Sequence, residues 1–379
     1  MLDCQRHLFD MPDDVVWLNN ASQGPLLKAA VAAGHVGVER KAHPWFVYRS
    51  RVEEEADKCR DLFAGLVGAT GSDIAVVPAT SYGVAVAAAN IEIPAGRRIV
   101  ALESQFPNNL YAWRIRAHQT GAQMVEVARP EDGDWTAAVL AEIDERTALA
   151  TLPPSHWTDG AAIDLERISD RCREVGAALF VDATQAAGAM PIDVGRLQPD
   201  YLVASGYKWL LCPYRLSFLY VAPHRQDGRP VEHAKWNCGA VPPDGAHHRG
   251  NDAPNGGTRF DMGERHDPIA LTMGIAALRQ LNDWEPAEIS ATIAPLTDAI
   301  AEGAAEHGLS FPARPHRVPH YIGLRRPAAP FTEDVGRKLA AQNVHVSMRG
   351  DSLRLSPHVY CRPADVERFF SALDAAAGG

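Results

Sequence analysis

The chain has 379 residues, of which 46% are hydrophobic and 22% charged, and a formal net charge of -10. That length and apolar content suffice for one large domain plus a smaller one and exclude a disordered chain, while the acidic balance excludes a phosphate-backbone binder, which would carry a clustered basic surface. No apolar stretch follows a basic start at the amino terminus and no later run approaches ~18 uninterrupted apolar residues, so a cytoplasmic protein with no membrane or nucleic-acid partner is expected.

Strand-like apolar runs recur at 73–77, 98–102, 123–127, 148–152, 178–182, 201–204 and 217–221, with helix-like segments such as 165–175 between them. This alternation predicts a mostly parallel sheet covered on both faces, in a large α/β domain over 20–270. Residues 238–257 are rich in Gly, Pro, Asp and His and read as a long loop of the kind that borders a site. From Pro268 the pattern is helical through 281 and again over 287–307, followed by short strands near 320–324, 344–348 and 352–355. These predict a smaller α+β domain built from 271–379 together with 1–19. The cysteines, Cys4, Cys59, Cys172, Cys212, Cys238 and Cys361, form no close pair, so reduced and mostly buried thiols are expected. His247 and His248 lie in the loop, and His316 and His320 flank prolines, so no metal site is expected.

Two charged residues stand out from this pattern. Asp182 ends the run Ala178-Leu-Phe-Val-Asp182, and Lys208 follows Tyr201-Leu-Val-Ala-Ser205-Gly-Tyr207. Read singly, Asp182 would be a cap and Lys208 a solvated amine, since such residues are mostly exposed. Lys208, however, sits in the aromatic and apolar stretch Tyr207-Lys208-Trp209-Leu210-Leu211, unlike a solvated face. In a parallel sheet both residues emerge at the carboxyl edge, where open α/β sheets place their ligands. Burial lowers a lysine's pKa and frees a neutral amine, and a neighbouring acid keeps a heterocyclic nitrogen protonated. That pairing suits pyridoxal phosphate (PLP).

Three further segments add what such a site needs. Pro78-Ala-Thr80-Ser81-Tyr82-Gly83 follows a strand and opens an apolar helix. Its hydroxyls and backbone N–H groups suit a phosphate, although an ordinary Ser/Thr cap reads the same. Ser205 and Tyr207, on either side of Gly206, offer further phosphate hydrogen bonds. Phe106, in Gln105-Phe106-Pro107, places a ring where it could stack on a flat heterocycle or simply pack.

Together these segments resemble the class V, or cysteine desulfurase/kynureninase-like, branch of the fold-type I PLP enzymes. The resemblance runs from Leu18-Asn19-Asn20-Ala21-Ser22 to Arg354-Leu-Ser-Pro-His-Val-Tyr360 and is most specific over 178–220. It implies a seven-stranded, mostly parallel sheet in the large domain, a smaller carboxyl-terminal α+β domain, and a homodimer with sites between subunits. It also implies that Lys208 carries PLP as a Schiff base, that Asp182 pairs with the ring nitrogen, that Gln185 lies near the phenolic oxygen and that Phe106 stacks on the ring. Thr80, Ser81, Ser205 and Tyr207 match phosphate-binding positions, with Tyr82 beside them in the cofactor site. Arg354 matches the arginine that grips the substrate α-carboxylate in a bidentate fork. Asn20 borders the substrate in this family, but its turn would equally suit a backbone cap.

Departures from the family pattern narrow what the resemblance implies. Its cysteine desulfurases carry a nucleophilic cysteine before the carboxylate-binding arginine, whereas Ser347-Met348-Arg349-Gly350-Asp351-Ser352-Leu353 contains none, which disfavours persulfide chemistry. Glu264, in Phe260-Asp-Met-Gly263-Glu264-Arg265, stands where many relatives contribute a Gly-Thr phosphate contact across the dimer. It would repel a phosphate unless paired with Arg265 or Arg259. Trp157 replaces a polar residue near the cofactor oxygen and should reshape the substrate side of the pocket. The branch without the cysteine includes C-S lyases, so the expectation is a lyase that abstracts the Cα proton, with Lys208 as base, and eliminates a β-substituent from a cysteine-derived amino acid. The alternative is a class V aminotransferase, or an amino-acid epimerase like isopenicillin N epimerase. An epimerase needs a second acid/base, for which His358, Tyr111 and His156 are candidates by type. A non-catalytic binding protein is disfavoured while Lys208, Asp182 and Arg354 all persist, and a nicotinamide dehydrogenase by the lack of Gly-x-Gly-x-x-Gly after the first strand.

Overall fold

The computed structural model describes residues 1–46, 49–234, 237, 256–327 and 329–377. The chain begins with β1 (Val16–Trp17), α1 (Lys28–Ala42) and α2 (Arg49–Val67), then alternates through β2 (Ile74–Val77), α3 (Thr80–Asn90), β3 (Arg98–Leu102), α4 (Tyr111–Thr120), β4 (Gln123–Val127), α5 (Trp135–Glu142) and β5 (Thr147–Leu152). It continues with α6 (Leu165–Val175), β6 (Ala178–Asp182), α7 (Val194–Leu197), β7 (Tyr201–Ser205) and β8 (Ser217–Val221). After these come α8 (Pro268–Trp284), α9 (Pro286–Glu306), β9 (Ile322–Leu324), α10 (Glu333–Ala340), β10 (Val344–His345), β11 (Ser347–Arg349), β12 (Ser352–Leu355) and α11 (Pro363–Ala377).

Seven strands form one sheet in the order β2-β8-β7-β6-β5-β3-β4. β8 runs antiparallel to both neighbours and every other pairing is parallel, so the expected mostly parallel α/β sheet is present. Successive side chains of a strand face opposite sides. Ile99, Leu149, Phe180 and Val203 therefore pack on one face against Val84 and Ala87 of α3 and Trp113 of α4. Val100, Ala150, Val181 and Leu202 pack on the other with Val139 of α5 and Ile168 of α6. Burial on both faces is why these strands read as continuous apolar runs.

The helix α6 shows how the sequence sets an element's ends. Asp164 accepts a hydrogen bond from Arg167 N at 3.1 Å as its N-cap, and Gly176 closes it in the left-handed region at φ 70°. Its buried residues, Leu165, Ile168, Ser169 and Cys172, follow the i, i+3, i+4, i+7 spacing of one face.

Two pairings draw the chain ends together. β1 pairs with β10 in parallel, Val16 opposite Val344, and β11-β12-β9 form a small antiparallel sheet. The single strand expected over 344–348 is thus two, belonging to different sheets. The chain leaves the β1 partnership after His345 and turns into a hairpin whose two-residue loop begins at Gly350, φ 61°. The boundary expected at 270 falls in the first turn of α8. Apart from Gly256 and Gly257, the loop expected over 238–257 lies outside the described residues, as do His247 and His248. Among the described residues, no helix is long and apolar enough to cross a membrane, and no cluster of His, Cys, Asp or Glu is arranged to hold a metal ion.

Gly206 fixes the turn that presents Lys208. A Cβ there would sit on the Leu216 carbonyl oxygen and 2.9 Å from the Cys212 Cβ, both in the wall behind it. Gly206→Ala should therefore destabilise the protein by about 1–3 kcal/mol through overpacking. The denaturant midpoint checks this, and an unchanged midpoint would show that the turn can relax.

Candidate active site

β2, β3, β5, β6 and β7 point the same way, so their carboxyl ends share one edge of the sheet, where open α/β folds bind ligands. The loops leaving that edge enclose a cavity. β2 contributes Thr80; β3 contributes Gln105, Phe106 and Asn108; β5 contributes Ser155 and Trp157. β6 supplies Asp182, Thr184 and Gln185, and β7 supplies Ser205, Tyr207 and Lys208. The register Asp182↔Val203 sets the end of β6 beside β7 just before Lys208 leaves the sheet, bringing acid and amine to one wall.

Lys208 is 8% exposed. Burial, and then the charge of Arg354, bring its amine down to about 7 against the pull of Asp182, so near neutral pH much of it is unprotonated. Its Nζ lies 5.4 Å from the Phe106 ring centre and 5.6 Å from that of Tyr207. Burial raises the Asp182 carboxyl, and a hydrogen bond at 3.0 Å from Thr184 N opposes the rise. A buried acid in this state gains most from a cationic partner.

Hydroxyls gather where α3 begins. Thr80 Oγ1 lies 2.7 Å from Ser205 Oγ and 2.9 Å from Thr184 Oγ1, which also accepts from Ser205 N at 3.2 Å. The first amides of a helix have no intrahelical acceptor, so this cluster and the α3 terminus together offer an anion site. Phe106 and Trp157 form the aromatic side, ring centres 5.3 Å apart and edge-on, with Trp157 Nε1 donating to Ser104 O at 2.8 Å. A half-neutral buried amine, a buried acid, an aromatic wall and hydroxyls at a helix start are the complement PLP requires, so the residues present fit that cofactor.

Not every residue singled out from the sequence reaches the cavity wall. Ser81 is exposed, and the Tyr82 hydroxyl lies 3.5 Å from Asp261 O, a direction set by its place about half a turn around α3 from Thr80. Asn20 is fully buried, accepting from Tyr360 Oη at 3.1 Å and donating its backbone N–H to Ser356 O at 3.1 Å, in the role of a turn residue tying the amino-terminal segment to β12. Gln185 does line the cavity, with its side chain engaged, donating to Ala21 O at 3.0 Å and accepting from Trp209 Nε1 at 2.8 Å. Glu264 is exposed, and Arg265 pairs instead with Asp261 at 3.2 Å.

Arg354 is 1% exposed. It donates from Nη1 to Trp157 O at 2.7 Å and from Nη2 to Ser22 Oγ at 3.0 Å, while its Nε has no partner among the described residues. Burial first, and Arg349 second, bring its guanidinium down to about 9. An arginine so desolvated, with no carboxylate beside it among the described residues, is prepared for an incoming anion.

Sequence reasoning missed Thr184, Gln105, Asn108, Ser155, Ser22 and Arg349. Thr184 stood between two assigned residues, and Ser22 belonged to a quoted turn. Arg349 needed the hairpin register. Ser347 pairs with Arg354, so Arg349, two residues along on the same face, lies diagonally across from Arg354.

Comparison with known proteins agrees with this geometry. The chain is similar to an uncharacterized aminotransferase, YcbU, of Bacillus subtilis, 28% identical over 309 residues covering 81% of this chain and 80% of that protein. It is 24% identical to the isopenicillin N epimerase of Streptomyces clavuligerus, over 96% of this chain and 95% of that one. In fold it superposes on a cysteine desulfurase from Thermococcus onnurineus with a TM-score of 0.86 and 19% identity, over the full length of both chains. The family model for class V aminotransferases matches residues 38–354, a span that holds the whole large sheet and ends on Arg354 itself, and by that match this protein belongs to the class V aminotransferases and is a PLP-dependent enzyme.

Proposed function

We propose that the protein is a lyase that takes the Cα proton from an α-amino acid and expels a β-substituent, with cysteine-derived thioethers as the substrate class. The observation that carries this reading is the single amine on the cavity wall: among the described residues lining it, Lys208 is the only lysine, and none is a histidine. The three candidates for an epimerase's second base stand elsewhere. His358 is fully buried and stacked at 5.7 Å on Trp209, its pKa pushed down to about 3 by burial. His156 stacks on Trp135 and is held by Glu103 O and Thr158 Oγ1, at 3.1 and 2.8 Å. Tyr111 is exposed at the start of α4. No described cysteine lines the cavity; burial pushes the thiols of Cys59 and Cys172 up to about 12 and also raises those of Cys212 and Cys361. Cys238 lies outside the described residues.

PLP, when bound, supplies the electron sink that makes a Cα–H bond acidic. Lys208 would hold it covalently, Asp182 would keep its ring nitrogen cationic, Phe106 would pack on its ring, and Thr80, Thr184 and Ser205 would take its phosphate. Lys208, at a pKa of about 7, is suited both to accept a proton from Cα and to return one. Arg354 orients the substrate by its carboxylate, and Trp157 with Phe106 excludes water from the reacting side. The assembly we propose is a homodimer with sites at the subunit interface. Exposed Val31, Val38 and Trp45, on and just after α1, support it, and light scattering checks it.

The reaction is tested by incubating the holoenzyme with a panel of amino acids, including bulky cysteine S-conjugates, and measuring three products separately. Pyruvate and ammonia without added keto acid are expected. Cα deuterium exchange with inversion and no pyruvate would replace the lyase with an epimerase, and strict dependence on a keto acid would replace it with an aminotransferase.

A pH dependence follows from the lowered amine. Below about pH 7 Lys208 is protonated and cannot attack an aldehyde; above it the amine is free. The rate at which apoprotein takes up PLP should therefore rise with pH and level off above about pH 8. A rate still climbing at pH 10 would mean that Lys208 titrates like a solvated lysine.

A further inference from the structure

A second pocket lies on the outer side of Trp157, lined by Arg129, Arg325 and Arg349 together with Ser104, Thr158 and Asp351. Arg129 and Arg325 converge on the fully buried Asp159, at 2.7 and 2.9 Å, and Arg325 also meets Asp351 at 3.1 Å. Glu103 adds a carboxylate that accepts from Arg129 N at 3.1 Å, so these acids meet Arg129 and Arg325, and Arg349 is the guanidinium left without one. Among the described residues it meets no acid: its Nη1 donates to Met348 O at 2.9 Å and its Nη2 to Ser22 Oγ at 2.6 Å, with the group 5.8 Å over the Trp157 ring.

Arg354 donates to the same Ser22 oxygen, at 3.0 Å. Two cations on one hydroxyl, neither offset by a carboxylate among the described residues, repel each other. Burial lowers both guanidiniums, and Arg349 lowers Arg354 further. The two differ in outlook. Arg354 is fully buried and bonded to the Trp157 carbonyl, whereas Arg349 is half-buried, lies over the Trp157 ring and faces the outer pocket with two more arginines. One carboxylate on Arg354 would leave Arg349 still without an anion.

We propose that the outer pocket receives the substrate's side chain and that Arg349 there binds a second anionic group, a carboxylate or an oxyanion of like charge, so that the preferred substrates are amino acids with an acidic side-chain end. This rests on the reading that the cavity takes an α-amino acid. Arg349 is then a specificity-determining residue, and Trp157 is the partition between the two anion sites.

The test compares S-carboxymethylcysteine with its uncharged analogue S-carbamoylmethylcysteine as substrates of the holoenzyme, and glutarate with glutaramate as calorimetric ligands. The wild-type protein is expected to favour the charged member of each pair by about 10- to 100-fold, the worth of one or two charge-assisted hydrogen bonds. Arg349→Met should bring both ratios close to one, and Arg349→Lys should keep part of them; being ratios, they are insensitive to partial loss of folded protein. Equal handling of the charged and uncharged members by the wild type overturns the proposal. So does a variant that weakens both members equally, which would place Arg349 beside Arg354 on one shared carboxylate. If neither cysteine derivative gives pyruvate but glutarate still binds preferentially and Arg349→Met abolishes that preference, the second anion site stands and the lyase reading falls.

Discussion

Replacing Lys208 with alanine should abolish turnover, lowering kcat by at least about 10²- to 10⁴-fold, the usual worth of a positioned acid/base group. Among the described residues of the wall, the buried amine at the carboxyl edge is the one group able both to hold an aldehyde and to carry a proton near neutral pH. Any cofactor the variant keeps should be released by denaturation, whereas borohydride treatment of the wild type followed by peptide mapping should leave the reduced cofactor on Lys208. Normal activity in the variant, or a tag on another residue, would remove Lys208 from the centre of the site.

Arg354→Ala should reduce kcat/KM for α-amino acids by about 2–4 kcal/mol, roughly 30- to 1000-fold, because it strips a buried anion of its partner. Carboxylate-free amines should lose far less. Arg354 also ties Trp157 O to Ser22 Oγ, so part of any loss comes from the wall itself; Arg354→Lys, which keeps the charge but not the fork, separates the two contributions. Equal losses on amino acids and amines would assign Arg354 to holding Trp157 in place.

The fold was largely legible because each central strand is buried on both faces and so appears as an uninterrupted apolar run bounded by helix starts. Expected and observed limits agree at Arg98–Leu102, Gln123–Val127, Ala178–Asp182 and Ser217–Val221. Legibility failed where strands were short and shared between sheets. The residues 344–348 look like one strand because they alternate as one, and nothing local records that β10 pairs with β1, some 330 residues away, while β11 turns back on β12. In the site, Asp182 and Lys208 were conspicuous as charges among apolar residues, and so was Arg354 near the end of a strand. Thr184, Ser155 and Asn108 were not, because a polar residue in a loop carries no mark of the direction it faces.

What the sequence determined by itself is the order of strands and helices, the carboxyl edge as the site, and the residue types that face it, since these follow from burial periodicity and from the rule that parallel strands end together. What only the tertiary structure decided is which of those residues share a wall. It turned Tyr82 towards Asp261 and gave Asn20 to Tyr360, and it brought Ser22 across the chain to meet Arg349 and Arg354. The physical reason is that such contacts depend on side-chain direction and on closures over hundreds of residues, neither of which leaves a local trace in the chain.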